Sequence, residues 1–152
     1  MDRSGRRLDL LLVEDRRTWQ PFDGQFNHSR WSTPNRYGPA YSVRDGQVEV
    51  ARVQLDECGL QNGDYFNAPW LGPGSGALLI AQLEVALAWQ RTGVGTSTVR
   101  ELEQLFEERR LIALAGDPIA EEFWSSLGWT RHDHVEGRES PFMSLFVQPL
   151  RR

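Results

Sequence analysis

Residues 90–96 are the part of this sequence best suited to chemistry, because they combine a cation, two glycines and the predicted start of a helix. The segment consists of Gln90, Arg91, Thr92, Gly93, Val94, Gly95 and Thr96. Glycine lets the backbone approach a ligand closely, and the start of a helix offers unpaired N–H groups and the positive end of its dipole. The segment therefore predicts an anion site, most often one for a phosphate group.

Three kinds of phosphate site use a strand, a glycine turn and a helix, and two of them disagree with this sequence. A P-loop requires Gly-Lys-Ser/Thr, and the chain contains no lysine. A dinucleotide-binding turn requires a third glycine where Thr98 stands. The third kind has the pattern Gln/Arg-x-x-Gly-x-Gly/Ala, which Gln90 to Gly95 matches. A plain strand-to-helix turn without a ligand would also fit this segment.

A second motif, Phe123-Trp124-x-x-x-Gly128-Trp129, follows within forty residues of the first. The two motifs, in this order and with a strand between them, resemble the signatures of the GNAT superfamily of acetyl-CoA-dependent N-acetyltransferases. The resemblance covers about residues 43–147. It implies an α/β fold of the GNAT type, with a mixed central sheet flanked by helices, in one domain over residues 1–152. It also implies acetyl-CoA as co-substrate.

The resemblance assigns the donor contacts. Backbone N–H groups from Arg91 to Thr96 would hold the pyrophosphate, and the Arg91 guanidinium would add charge-assisted hydrogen bonds. The backbone of the strand before the turn would pair with the pantetheine arm. The donor set is therefore Leu83, Val85, Gln90, Arg91, Thr92, Gly93, Val94, Gly95, Thr96 and Trp124.

Acetyl transfer to an amine also requires a group that accepts the proton of the ammonium. Glu84 is the only carboxylate in the predicted central strand 77–85, and its neighbours along the strand are apolar. A carboxylate in apolar surroundings takes up a proton more readily. Gln82 lies on the same face of the strand and could align the amine. Alternatively, Glu84 points to a hydrated end of the sheet and has no catalytic role.

Trp124 departs from the family pattern, because many members have tyrosine there to protonate the leaving thiolate. An indole N–H donates a hydrogen bond but cannot deliver a proton at neutral pH. Two hypotheses follow: an N-acetyltransferase acting on a primary amine of an unidentified acceptor, or an acyl-CoA-binding sensor or partner module with little catalysis. We expect Trp124 at the border of a buried helix face formed by Ile119, Phe123 and Leu127.

Acceptor contacts are expected from loops that carry aromatic residues. Residues 59–76 contain five glycines and two prolines, and long loops are often functional. Tyr65 and Trp70 in this loop are therefore assigned to the acceptor site with Gln82, although a plain irregular connection is equally compatible. Further aromatic residues either pack over the sheet or form a wall of the acceptor pocket: Trp19, Phe22, Phe26, Trp31 and Tyr37.

Composition limits the partners and the compartment. A net charge of −4 argues against nucleic acid, because a phosphate backbone favours a basic surface. No run approaches the length of a membrane span. Cys58 is the only cysteine, and no signal segment is recognised, which favours the cytoplasm. The expected partner is a small-molecule or peptide amine, with a homodimer possible. No metal site is expected, because no cysteine or further histidine joins His132 and His134.

Periodicity and turn residues predict the element order. Asp45-Gly46 is a hairpin signal, Asp117 a helix N-cap, and Gly128 a left-handed helix stop. The predicted strands are 8–13, 41–43, 48–55, 77–85, 111–115, 130–135 and 141–147, and the predicted helices are 96–109 and 118–127.

Overall fold

The computed structural model describes residues 7–15, 19, 24–27, 31, 37–72, 74–137 and 143–150. The chain forms two compact units, residues 1–55 with 82–107 and residues 56–81 with 108–152. The predicted single domain stays a prediction. In the described residues, no helix is long and apolar enough to cross a membrane.

Seven strands and two α-helices make up the fold. In chain order they are β1 (Asp9–Leu12), β2 (Ala40–Asp45), β3 (Val48–Asp56), β4 (Leu78–Val85), α1 (Val94–Leu105), β5 (Leu111–Ala115), α2 (Pro118–Ser126), β6 (Thr130–His132) and β7 (Ser144–Val147). The strand order is β1-β2-β3-β4-β5-β7-β6. β4 runs parallel to β5, whereas β1–β2, β2–β3, β5–β7 and β6–β7 are antiparallel. The predicted mixed α/β sheet is confirmed.

The predicted hairpin of β2 and β3 contains a β-bulge. Gly46 supplies the turn with φ 63°. The register passes from Val43 opposite Ala51 to Arg44 opposite Glu49, so that Val50 has no opposite residue. Successive side chains of a strand normally alternate between faces, and an extra residue shifts that alternation by one. The bulge therefore places Glu49 on the same sheet face as Arg52, three residues further on.

Aromatic residues form the core of the first unit. The buried cluster consists of Trp19, Phe26, Trp31, Ala40 and Ala86. Trp19 and Trp31 meet edge to face, with ring centroids 5.4 Å apart. These three aromatic side chains therefore pack over the sheet, whereas Tyr37 is exposed. Phe22 lies outside the described residues.

The segment 59–76 is more ordered than a plain loop. It contains two 3₁₀ turns, Gly63–Phe66 and Pro69–Leu71. A Cβ at Gly63 would lie 2.2 Å from the carbonyl oxygen of Ala68, so only glycine fits there. The segment contributes half of a buried cluster made of Leu60, Phe66, Ala68, Leu71, Ala77, Ile112, Leu145 and Val147.

Both ends of α2 confirm the prediction, but its buried face does not. Asp117 Oδ1 accepts a hydrogen bond from Ala120 N at 2.8 Å, and Gly128 has φ 80°. The expected burial of Ile119 is wrong, since that side chain is 82% exposed. Trp124, expected at the border, is only 5% exposed. The covered stripe follows residues 120, 123, 124 and 127, which share one face of a helix, and Ile119 lies off that stripe.

β5 agrees with its predicted range, whereas several other elements differ from the prediction at their ends. α1 begins two residues before Thr96, because Gly93 adopts the N-cap position. It ends at Leu105, where the backbone of Phe106 leaves the helical region with φ −116°. β6 ends at His132, three residues earlier than expected. Of the strand predicted over 141–147, the first two residues lie outside the described part of the chain, and β7 begins at Ser144.

Candidate functional site

The turn before α1 has the features that an anion site requires. Gly93 caps the helix with φ 88° and ψ 3°, and its N-cap position provides no side-chain hydrogen bond. The N–H groups of a first helical turn have no acceptor within the helix. Arg91 is exposed and also lies in the left-handed region, with φ 63°. Such a conformation is costly for a residue with a side chain and is concentrated at functional sites.

Charge and local hydrogen bonds support the same interpretation of the turn. None of residues 90–96 is acidic. Gln90 Nε2 donates to the carbonyl oxygen of Val85 at 3.3 Å, and the Thr92 hydroxyl donates to that of Trp89. The first bond attaches the turn to the end of β4, and the second attaches it to the 3₁₀ turn Leu87–Trp89. The residues therefore fit the phosphate groups of a nucleotide-like ligand.

Most of the predicted donor residues come together in the first unit. Leu83 and Val85 are half-buried on β4, and residues 90–96 follow after the 3₁₀ turn Leu87–Trp89. The Val94 side chain is buried, so Val94 can offer only backbone groups to a ligand. Trp124, in contrast, belongs to the second unit.

Glu84 is held by two hydrogen bonds from the segment that covers the sheet. Its Oε1 accepts from Trp31 Nε1 at 2.7 Å, and its Oε2 accepts from the backbone N–H of Asn27 at 2.9 Å. These donors lie 53 and 57 residues away in sequence, so a strand pattern could not reveal them. Glu84 therefore has polar as well as apolar neighbours. The two donors, one on each oxygen, fix the direction of the carboxylate.

Tyr65 and Trp70 expose their rings in the second unit, each against a histidine. Tyr65 stacks on His134 with centroids 5.4 Å apart, and Trp70 meets His132 edge to face at 5.9 Å. The backbone N–H of Val135 donates to the carbonyl oxygen of Tyr65 at 2.7 Å. Tyr65 is 53% and Trp70 56% exposed. The rings therefore offer supported aromatic faces to a ligand. Gln82, the third predicted acceptor residue, is half-buried on β4.

Arg131, also in the second unit, is a paired cation. Its guanidinium contacts the carboxylates of Asp133 and Glu121, each at 2.6 Å. The hydrogen bond to Asp133 raises the pKa of Arg131 above its usual value, against the opposing effect of burial, and Glu121 raises it further. Paired in this way, Arg131 leaves its surroundings without excess positive charge.

Trp124 is part of an aromatic stack. Its ring centroid lies 4.7 Å from that of Trp129 and 4.9 Å from that of Phe123. Contacts of this kind stabilise a fold through packing. The indole N–H of Trp129 is buried and has no hydrogen-bond partner in the described part of the structure.

The chain is similar in structure to solved acetyltransferases. No protein-family profile matches the sequence. No curated protein matches it either. An acetyltransferase from Thermus thermophilus is 14% identical, with a TM-score of 0.65 over 95% of this chain and 98% of that one. The Bacillus subtilis N-acetyltransferase YlbP, solved with coenzyme A, is 16% identical, with a TM-score of 0.63 over 93% and 95%. The chain has the GNAT acetyltransferase fold.

A third structure with this GNAT fold corrects one prediction about partners. AtaT, solved in complex with acetyl-methionyl-tRNAfMet, is 14% identical, with a TM-score of 0.64 over 93% of this chain and 94% of that one. The prediction that nucleic acid is excluded is therefore wrong. Net charge is an average over the whole surface, whereas binding depends on the charges at the contact.

Proposed function

We propose that this protein is an N-acetyltransferase that transfers the acetyl group of acetyl-CoA to a primary amine. The observation that carries the proposal is the turn before α1, where a left-handed Gly93, an exposed Arg91 and the absence of acidic residues from 90–96 occur together in a GNAT fold. The coenzyme A in the YlbP structure supports the choice of donor.

The proposed reaction uses three parts of the first unit: the turn before α1, the backbone of Leu83 and Val85, and the Glu84 carboxylate. The turn N–H groups and Arg91 bind the pyrophosphate, while the backbone of Leu83 and Val85 pairs with the pantetheine arm. Glu84 takes the proton of the ammonium, directly or through water. The free amine then attacks the thioester carbonyl, so that a C–N bond forms, the C–S bond breaks and coenzyme A leaves as the thiolate. The attacking nitrogen loses its remaining extra proton, which the thiolate takes up to give the neutral thiol and the amide. The two hydrogen bonds on Glu84 support this role, because they fix the direction of its carboxylate.

The acceptor contacts are proposed for each unit by itself. In the first unit, Gln82 would align the amine. The second unit offers the exposed faces of Tyr65 and Trp70, which suit a flat or cationic group, because such a group is attracted to an aromatic face. Because AtaT is complexed with an acetylated aminoacyl-tRNA, the acceptors to be tested include amino groups carried by RNA.

The proposal is tested by release of coenzyme A from acetyl-CoA in the presence of arylamines, aminoglycosides, amino acids, peptides and aminoacyl-tRNA. We expect at least one acceptor to support turnover. Glu84→Gln should then lower turnover by roughly 10²- to 10⁴-fold, because the general base is lost. The same variant should keep the rise in melting temperature that acetyl-CoA causes. Full turnover in Glu84→Gln would remove Glu84 from the mechanism.

The second candidate function, an acyl-CoA-binding sensor or partner module, is favoured by one observation. Trp124 occupies the place where the family pattern has a proton-donating tyrosine, and its indole cannot serve as an acid. Binding of acetyl-CoA without turnover on any acceptor would support the sensor over the enzyme.

Replacing Trp124 by tyrosine separates a packing role from a role beside the thioester. Because Trp124 is buried against Trp129, we expect Trp124→Tyr to lower the free energy of unfolding by about 1 to 3 kcal/mol, the usual cost of a changed core shape. Turnover should stay unchanged. Steady-state kinetics and a melting curve measure both quantities. A gain in turnover would instead place the new hydroxyl at the leaving thiolate.

A further inference from the structure

A second candidate site lies in the first unit, where residues of β1, β2 and β3 meet Val13, Glu14, Asp15 and Trp19. It is a cleft of about 580 Å³, within the size range of small-molecule sites. None of its residues belongs to the donor turn. The lining residues are Leu11, Leu12, Val13, Glu14, Asp15, Trp19, Ser42, Arg44, Glu49 and Arg52.

The floor of the cleft is a buried network around Glu49. Glu49 Oε1 contacts Arg52 Nη2 and Nε, each at 3.0 Å. Its Oε2 accepts from Trp19 Nε1 at 3.1 Å and from the Ser42 hydroxyl. The Arg52 guanidinium lies 4.7 Å from the ring centroid of Trp19 and 4.2 Å from that of Phe26. Because these bonds act together, the floor is rigid and its two charges neutralise each other.

The rim of the cleft carries both charge signs. Arg44 Nε donates to the Ser42 hydroxyl, and its Nη1 donates to the carbonyl oxygen of Gln47, each at 3.2 Å. Within the described residues, Arg44 Nη2 has no hydrogen-bond partner. Glu14 is exposed and, in the same part of the structure, has no ion-pair partner. The cleft can therefore offer a guanidinium to an anionic group and a carboxylate to a cationic one.

Part of the cleft lining is apolar. Leu11 and Leu12 are 52% and 54% exposed, and both line the cleft with Val13 and the buried ring of Trp19. Covering apolar surface of this kind is favourable. A ligand that matches the cleft therefore combines an anionic group, a cationic group and an apolar part. A polyanion such as a nucleotide would meet the carboxylates of Glu14 and Asp15.

We propose that this cleft binds a free α-amino acid with an apolar side chain. The carboxylate of the amino acid pairs with Arg44, its ammonium pairs with Glu14, and its side chain covers Leu11, Leu12 and Trp19. This binding needs no acetyl-CoA, so it does not depend on the proposed acetyl transfer.

The test is calorimetric titration of the full chain with L-leucine and L-phenylalanine in the absence of acetyl-CoA. Two analogues each remove one charge: L-leucine methyl ester lacks the carboxylate, and N-acetyl-L-leucine lacks the ammonium. We expect L-leucine or L-phenylalanine to bind and both analogues to bind roughly 10- to 100-fold more weakly, because each loses a charged hydrogen bond. Equal affinity for L-leucine and the two analogues, or no binding of either amino acid, would overturn the proposal.

Two variants locate the binding. Arg44→Met should weaken the binding of L-leucine but leave the affinity for L-leucine methyl ester unchanged. Glu14→Gln should also weaken the binding of L-leucine but leave the affinity for N-acetyl-L-leucine unchanged. Arg100→Met and Glu122→Gln serve as controls, because both residues are exposed on helices outside the cleft. A melting curve confirms that each variant is folded. If the control variants weaken binding as much as the cleft variants do, the amino acid binds elsewhere.

Discussion

Glu49→Ala should lower the free energy of unfolding by about 3 to 5 kcal/mol, because it removes one partner of a buried ion pair. Arg52 is only 3% exposed, and the Glu49 carboxylate contacts its guanidinium at 3.0 Å. The variant also removes the acceptor for the Trp19 indole and the Ser42 hydroxyl. Small domains are stable by only about 5 to 15 kcal/mol, so this loss is large. Urea unfolding followed by tryptophan fluorescence measures it.

The chain contains a control for this variant. Arg109 Nη1 and Glu57 Oε1 form another ion pair at 2.9 Å, but the Glu57 side chain is 55% exposed and the Arg109 side chain 28% exposed. An exposed pair contributes about 0 to 1 kcal/mol. We therefore expect Glu57→Ala to have little effect. Equal losses for Glu49→Ala and Glu57→Ala would contradict the role assigned to burial.

A double variant tests whether the loss comes from breaking the ion pair or from lost side-chain volume. Glu49→Leu with Arg52→Met replaces the ion pair by apolar side chains, a change that is often neutral or stabilising for buried pairs. We expect the double variant to be more stable than Glu49→Ala. A double variant as unstable as the single one would show that packing around Trp19 and Phe26 matters more than charge.

The sequence contained part of the information about this network. In β3 the apolar side chains first stand at even-numbered positions, Val48 and Val50, and then at odd-numbered ones, Val53 and Leu55. This change of alternation indicates an irregularity in the strand, and the structure has its β-bulge at Val50. The partners of the network could not be predicted in this way. The Trp19 indole reaches Glu49 across 30 residues, and local periodicity carries no information on contacts at that separation.

The difference between local patterns and contacts distant in sequence also explains which other predictions were correct. Asp117, Gly128 and the Asp45-Gly46 turn act on neighbouring backbone, so their residue types suffice to predict a cap, a helix end and a hairpin. The burial of α2 depends on what packs against it. The spacing of four residues alone led to the prediction that Ile119 is buried. In the structure the covered stripe runs through Trp124, and Ile119 lies beside that stripe.

Gly93→Val should abolish the rise in melting temperature that acetyl-CoA causes. Gly93 caps α1 with φ 88°, a conformation that costs a residue with a Cβ about 1 to 2 kcal/mol. A side chain there would also come between the turn backbone and the pyrophosphate. For the parent protein, acetyl-CoA at 100 times its Kd should add about 2.7 kcal/mol of stability by mass action. Differential scanning fluorimetry over a series of acetyl-CoA concentrations gives both the melting temperature and the affinity.

Gly128→Val separates loss of binding from backbone strain. Gly128 follows the C-terminal end of α2 with φ 80°, and a Cβ there would meet nothing within 4 Å. Its replacement by valine should therefore lower stability by a similar amount and leave the response to acetyl-CoA intact. If Gly93→Val is folded and binds acetyl-CoA as tightly as the parent does, the donor does not bind at this turn. If both variants lose the response together, general destabilisation and not the turn explains the result for Gly93→Val. Loss in Gly93→Val alone locates the pyrophosphate at the start of α1.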